Sequence, residues 1–155
     1  MIELLGRNVL VIGLGASGSA AIEVLLGEGA RVRLSEARGD IPVSGSLQGV
    51  DIRSGGHDAS HLDGIELVVT SPGVPQDAPI LDAARSADIP IWSELELGAS
   101  RCTVPYVAVT GTNGKTTTTE MIASAMRESG SDAIACGNIG HPFSLAAKES
   151  HDALA

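Results

Sequence analysis

Contiguous β-branched runs and stretches with a helical apolar stripe follow one another along this chain. "NVLVIG" (8–13) is a short β-branched run, and "SGSAAIEVLLGEGA" (17–30) sets Ala20, Ala21, Val24 and Leu25 at helical spacing before a glycine-rich stop. Together they predict strand, tight turn and helix. "ARVRLSE" (30–36) alternates as a second strand, with Val32 and Leu34 on one side; "GDIPVSGS" (39–46) reads as a loop and "GVDIRSGG" as a weak third strand. "IELVVTSPGVP" (65–75) predicts a buried strand ended by Pro-Gly, "PILDAARSADI" (79–89) a helix, and "PIWSELELG" (90–98) a strand and its exit. After the polar, proline-ended stretch "ELGASRCTVP" (96–105) the pattern restarts. Strand "YVAVT" (106–110), a glycine loop, helix "KTTTTEMIASAMRESG" (115–130), strand "DAIACG" (132–137), the turn "GNIGHP" and an amphipathic "FSLAAKES" follow in order.

Strands alternating with helices imply a parallel, doubly wound sheet. The expected fold class is α/β: a Rossmann-like parallel-sheet domain over residues 1–98, a linker at 99–105, and the first part of a P-loop α/β domain over 106–155. A length of 155 residues suits one domain plus part of another. Aromatics make up only 2% of the chain against 43% hydrophobic residues overall, so Val, Leu, Ile and Ala must fill the interior, as parallel sheets favour.

A formal net charge of −9 argues against a broad basic surface for nucleic acid or anionic membrane, so any anion must be met locally. Cys102 and Cys136 lack metal-ligand or CxxC spacing and read as reduced, structural thiols. The N-terminus is apolar but has no charged leader region or clear cleavage site, and no run approaches the roughly 20 residues of a membrane span. A cytoplasmic, monomeric protein is expected.

Two glycine turns carry the candidate chemistry. "GTNGKTTTT" (111–119) follows an apolar run and opens a helix, which aims unpaired backbone amides at one point where the helix dipole adds roughly half a positive charge. Gly111 and Gly114 permit close backbone approach, Lys115 can reach β and γ phosphates, and the Thr116 hydroxyl can ligate Mg²⁺. Those features suit ATP, although Val109 stands where the usual G-x-x-x-x-G-K-[ST] loop has its first glycine. Thr117 to Thr119 suit capping and packing.

The earlier turn, Gly13, Gly15 and Gly18, fits G-x-G-x-x-G between strand and helix, and Glu36 ends the next strand. Taken alone it fits a nicotinamide dinucleotide, as in an oxidoreductase, or any other nucleotide diphosphate. The second loop alone fits a small NTPase switch.

"GLGASG" (13–18), "SPGVP" (71–75), "VTGTNGKTTT" (109–118) and "GNIGHP" (137–142) together resemble the Mur ligases, over essentially the whole chain, and among them the members that add D-glutamate. The resemblance implies ATP- and Mg²⁺-dependent amide synthesis in peptidoglycan precursor assembly: phosphorylation of the carboxylate of UDP-N-acetylmuramoyl-L-alanine, then attack by the amine of D-glutamate. It also implies that the first domain holds UDP. By position, Leu14, Ala16 and Ser17 would meet the diphosphate, Glu36 and Arg38 the uracil, and Ser71, Pro72 and Gly73 the substrate channel. Asn113, Gly114, Lys115, Thr116 and Thr117 would bind ATP, with Thr116 on the metal and Lys115 catalytic, and Asn138 would contact nucleotide or substrate. Glu36 stands where the family often has Asp, and Ala37 offers no hydroxyl.

Other candidates carry less. His57 and His61 in "GGHDASHLDG" are spaced i, i+4, but the setting is a glycine-led polar loop, which favours a capped surface turn over a metal site. Glu94 and Glu96 are expected at exposed positions of an extended segment near the linker, with no paired-carboxylate site. His141 is expected at the surface. The second domain as read here has two strands and no later acidic residue for Mg²⁺, so the 155 residues alone are expected not to ligate.

Overall fold

A computed structural model describes residues 3–41, 45–138, 140–149 and 151–154. Contacts divide the chain into two compact units, one reaching Leu97 and the other starting at Gly98.

The first unit is a five-stranded, all-parallel sheet in the order β3-β2-β1-β4-β5. Its strands are β1 (Asn8–Ile12), β2 (Arg31–Glu36), β3 (Asp51–Ser54), β4 (Leu67–Thr70) and β5 (Ile91–Ser93). Helix α1 (Ala16–Gly27) connects β1 to β2, and α2 (Pro79–Ser86) connects β4 to β5. The order reverses between β1 and β4, and in open α/β sheets ligands bind beyond the carboxyl ends of the strands at such a switch point. Ile12 pairs with Ser35 and with Thr70, so three strand ends finish level there.

Burial follows the alternation of the strands. Leu10, Ile12 and Val68 pack with Ile80, Leu81 and Ala84 of α2 and with Leu62 and Ile65. Val9 and Val11 turn the other way, to the side covered by α1, whose Ala20, Ala21, Val24 and Leu25 are buried as their spacing predicts. β4 is buried at every position, as expected of a central strand. β3 is largely exposed, which explains its weak signal. Part of the predicted 39–46 loop, residues 42–44, lies outside the described residues.

The exit from β5 is helical. Residues 94–101 form α3 (Glu94–Arg101), started by a reciprocal capping box: Glu96 N–H donates to Ser93 Oγ at 3.1 Å, and Ser93 N–H to Glu96 Oε2 at 2.7 Å. Glu94 is therefore buried, contrary to the extended and exposed position expected of it, whereas Glu96 is exposed.

The second unit holds α4 (Lys115–Glu128), β6 (Ala133–Ile134), α5 (Phe143–Ala146) and β7 (Ala153–Leu154), with β6 and β7 parallel. Phe143, Ala146, Ala147 and Leu154 form its core, with Cys102, Val104, Ile134 and Cys136 packed on them. Gly98 is held to glycine by this core, since a Cβ there would stand 2.7 Å from a Phe143 ring carbon. The predicted strand 106–110 is reduced to one bridge, Tyr106 to Leu154. Among the described residues of β7, Leu154 partners this segment, accepting from the Val107 amide and donating to the Pro105 carbonyl, and Tyr106, Val107 and Ala108 are exposed.

Candidate nucleotide sites

At the end of β1 the three glycines do three different things. Gly13 has φ +88°, a conformation L side chains rarely adopt, and turns the chain sharply. Gly15, the N-cap of α1, has open space where a Cβ would stand. At Gly18 a Cβ would come within 1.9 Å of the Gly13 carbonyl oxygen, so α1 lies on the turn only because this residue is glycine. This is the division of labour of a diphosphate-binding turn: bend, ligand approach, helix packing.

Two side chains hold the turn from neighbouring strands. Ser71, just past β4, donates its hydroxyl to the Gly13 carbonyl at 3.1 Å and is buried, so its oxygen supports the turn, while Pro72 and Gly73 beside it are exposed. Glu36, at the end of β2, accepts the Leu14 amide on Oε2 at 2.6 Å. Its Oε1 accepts from the Arg38 amide at 3.1 Å and from Arg38 Nε at 3.3 Å, and Arg38 also donates to the Leu14 carbonyl. Burial alone would raise the Glu36 carboxyl, but the Arg38 and Leu14 amides and the Arg38 guanidinium outweigh it and hold the group below its ordinary value. Leu14, Glu36 and Arg38 thus form one connected group. Since Glu36 takes the Leu14 amide, the turn's remaining donors include the amides of Ala16, which is exposed, and half-buried Ser17 at the start of α1.

The second site is the loop before α4. Gly114 caps the helix in the left-handed conformation, φ +75°, and Gly111 has φ +150°. The cap carries no side-chain hydrogen bond and the first turn no acidic residue, so nothing negative competes for the amides of Lys115, Thr116 and Thr117. Lys115 Nζ folds over its own loop, donating to the Gly111 carbonyl at 2.6 Å and the Thr112 carbonyl at 3.4 Å. Asn113, Thr116 and Thr117 are exposed, while Thr119 is buried and donates to the Lys115 carbonyl at 2.9 Å. The donor set fits a phosphate chain. For Mg²⁺, the Thr116 hydroxyl is one accessible oxygen, and no group of three His, Cys, Asp or Glu side chains placed to hold a metal ion occurs among the described residues. That suits an ion held mainly by phosphate oxygens and water.

Asn138 is exposed on a turn closed by the Gly137 amide on the His141 carbonyl at 2.7 Å. Ile139 of that turn lies outside the described residues. His141 Nε2 donates to the Glu149 carboxylate at 2.8 Å, and His151 joins Glu149 at 3.0 Å and Asp132 at 3.2 Å.

His57 and His61 also differ from expectation. Asp58 caps the 3-10 turn Ala59–Leu62 as a turn residue should, accepting from the Ser60 amide at 2.8 Å. Both imidazoles, however, are half-buried on one hydroxyl: Ser35 Oγ lies 2.8 Å from His57 Nδ1 and 2.9 Å from His61 Nδ1. A polar residue at an inward strand position was the one available signal.

The two units match two families in turn. Residues 7–93 match the Mur ligase MurD-like N-terminal domain, and residues 109–153 the Mur ligase middle domain. The UDP-N-acetylmuramoylalanine D-glutamate ligase of Frankia casuarinae is 45% identical over 97% of this chain and 33% of its own length. That of Anaeromyxobacter dehalogenans is 42% identical over 92% of this chain and 32% of its own. The chain thus spans about a third of the length of these curated relatives. Among solved structures, a pseudomurein peptide ligase type C from Methanothermus fervidus superposes with a TM-score of 0.58 at 25% identity, covering 96% of this chain and 32% of that one. The UDP-N-acetylmuramate-alanine ligase of Thermotoga maritima gives 0.51 at 27%, covering 81% and 30%. With the glycine turn, the GTNGKTT loop and both family matches falling in the same order along one sequence, this chain belongs to the Mur ligases, with a MurD-like N-terminal domain.

Proposed function

We propose that the chain is the N-terminal part of an ATP-dependent ligase that joins D-glutamate to UDP-N-acetylmuramoyl-L-alanine in the cytoplasm, making a peptidoglycan precursor. The observation that carries this reading is the inward-turned Glu36. A dinucleotide fold needs the acid at the end of its second strand free to accept a ribose hydroxyl, whereas Glu36 is 7% exposed and bonded to Leu14 and Arg38. The resulting edge of backbone and guanidinium suits a flat, hydrogen-bonding base such as uracil. Relatives 36–45% identical to this chain, named as D-glutamate-adding ligases, point the same way.

On this reading Ala16 and Ser17 donate to the UDP diphosphate, helped by the dipole of α1. The first unit then anchors the substrate by its nucleotide, and that remote binding energy positions the alanine carboxylate for reaction. Asn113, Gly114, Lys115, Thr116 and Thr117 hold ATP. A carboxylate oxygen bonds to the γ phosphorus as the bond from that phosphorus to the bridging oxygen breaks, releasing ADP. The amine of D-glutamate then attacks the acyl phosphate carbon, loses a proton, and phosphate departs with the C–O electron pair. Mg²⁺, when bound, offsets charge on the phosphate oxygens. Lys115 offsets charge growing on the transferred group, and Asn138 contacts nucleotide or substrate.

The test is phosphate release by the full-length protein with ATP, Mg²⁺ and UDP-N-acetylmuramoyl-L-alanine across a panel of amino acids. Release that depends on D-glutamate is expected. Equal release with L-alanine or a diamino acid, or none with D-glutamate, would refute the assignment.

A further inference from the structure

The segment Gly55–His61 clasps the end of β2. The amides of Gly55 and Gly56 donate to the Glu36 carbonyl at 3.0 and 3.3 Å, in conformations with φ +89° and +149°. Two residues further on, the His57 ring reaches back to the hydroxyl of Ser35, and His61 reaches the same oxygen. Ser35 is fully buried, and its own carbonyl accepts the Gly13 amide at 2.9 Å. Main chain and side chains of one short loop therefore grip the two residues that hold the glycine turn: Ser35 through Gly13, Glu36 through Leu14.

The proton inventory of this grip is tight. A serine hydroxyl has one proton, so it donates to one Nδ1 and must accept from the other. The bridge accordingly needs one imidazole with a bare Nδ1 and one with Nδ1–H. If both rings carry a proton on Nδ1, the hydroxyl accepts twice and its own buried proton loses its partner, while two cations face each other across one oxygen. The charged groups around the site are Asp58 on the clasp, Arg53 and Asp51 on β3, and Arg33 on β2. Arg33 pairs with Asp51 at 2.7 Å and donates to the carbonyls of His61 and Asp63, which fixes the far end of the clasp. Burial, ahead of the attraction of Asp58 and the repulsion of Arg53, His57 and Arg33, holds the proton off His61.

We infer that the Ser35–His57–His61 bridge is a positioning element for the nucleotide turn, which sets the place of Glu36 and Leu14 and lets go when both imidazoles are protonated. The inference rests on the reading of this pocket as a UDP site, and its consequence for that ligand is that affinity falls as the solution becomes acidic. None of the three residues touches the ligand; they act through Glu36 and Gly13.

The experiment has two arms on the full chain. In the first, 1H–15N spectra are recorded from pH 8 to 5, following the Leu14 amide and the imidazole nitrogens. The Leu14 resonance should shift with the same midpoint as the His61 ring, and lose that midpoint in a His57→Gln/His61→Gln variant. A Leu14 amide that ignores the imidazoles overturns the inference, whether or not UDP binds. In the second arm UDP affinity is titrated over the same range. Wild type should bind about tenfold more weakly at pH 5 than at pH 8, the size of one lost hydrogen bond. Ser35→Thr, which keeps the hydroxyl, should retain that profile, and Ser35→Ala should bind weakly at both pH values. If Ser35→Ala does not fold, His61→Gln is used, with a flattened profile expected. Unchanged pH profiles in the variants overturn the inference. No UDP binding by wild type at any pH refutes the UDP reading instead and leaves the decision to the first arm.

Discussion

Glu36 and Leu14 lie 22 residues apart, yet the carboxylate of one accepts the amide of the other at 2.6 Å, and this bond ties the end of β2 to the glycine turn after β1. A carboxylate accepting two amides and a guanidinium is worth more ionised than protonated. Glu36→Gln should keep one acceptor for Leu14 but lose the charge that holds Arg38, weakening UDP affinity by about tenfold. Isothermal titration of the variant measures this, and unaltered affinity would separate the group from the pocket. The same bond sets an acid limit. Because the folded Glu36 lies below its ordinary 4.5, its stabilisation is complete above that value and is lost as pH falls through the folded value.

Gly15 and Gly18 should respond oppositely to alanine. At Gly18 the new Cβ meets backbone at 1.9 Å, so α1 must move, at a cost of about 3 kcal/mol or more. At Gly15 nothing stands within 4 Å and φ is −88°, so stability should change by less than about 1 kcal/mol. UDP binding should nonetheless be lost, because the methyl group occupies the approach of the diphosphate. Urea unfolding and ligand titration on both variants distinguish the two effects.

The first sheet was legible because its central strands β1 and β4 are local runs of Val, Ile and Leu, β2 alternates, and its first turn needs glycine for reasons of shape. The start of α3 was legible too, in the Ser93-x-x-Glu96 signature, but "PIWSELELG" reads more readily as a strand continuing outward. Residues 106–110 have strand composition, and among the described residues they form one bridge, because pairing depends on a partner far along the chain that no local pattern encodes. The glycine loop at Gly111 to Gly114 and the helix it opens at Lys115 were legible from residue type and spacing. The uses of Glu36, Ser71 and Ser35 were not, since each depends on which atom of a distant residue lies within 3.1 Å.

In the full-length protein Lys115→Ala should lower turnover by about a thousandfold or more while leaving UDP-substrate affinity unchanged, because in the proposed mechanism the ammonium acts on the transferring phosphate. Steady-state kinetics with a parallel binding titration check both halves. Unchanged kcat would remove Lys115 from the mechanism.

Unit two should have a bounded pH window of stability. Hydrogen bonding to Glu149, with that to Asp132, outweighs burial and raises His151, so its contribution is full below the ordinary 6.5 and is lost as pH rises through the folded value. The bond to His151, with that to His141, lowers Glu149 below 4.5 despite burial, so its contribution is full above that value and is lost as pH falls through the folded one. Protection of residues 98–154 against hydrogen exchange, relative to the intrinsic rate at each pH, should be greatest between these limits, and His151→Gln should abolish the alkaline loss. A profile unaffected by that substitution would exclude the pair as its source.

The most direct measurement is a calorimetric titration of the chain with UDP-N-acetylmuramoyl-L-alanine and, separately, with NADH. If the glycine turn, Glu36 and Arg38 form a uridine nucleotide pocket, the first ligand binds with one site per chain and NADH gives no heat of binding. Saturable NADH binding with no response to the UDP-linked ligand would return the first unit to dinucleotide chemistry and contradict the ligase assignment.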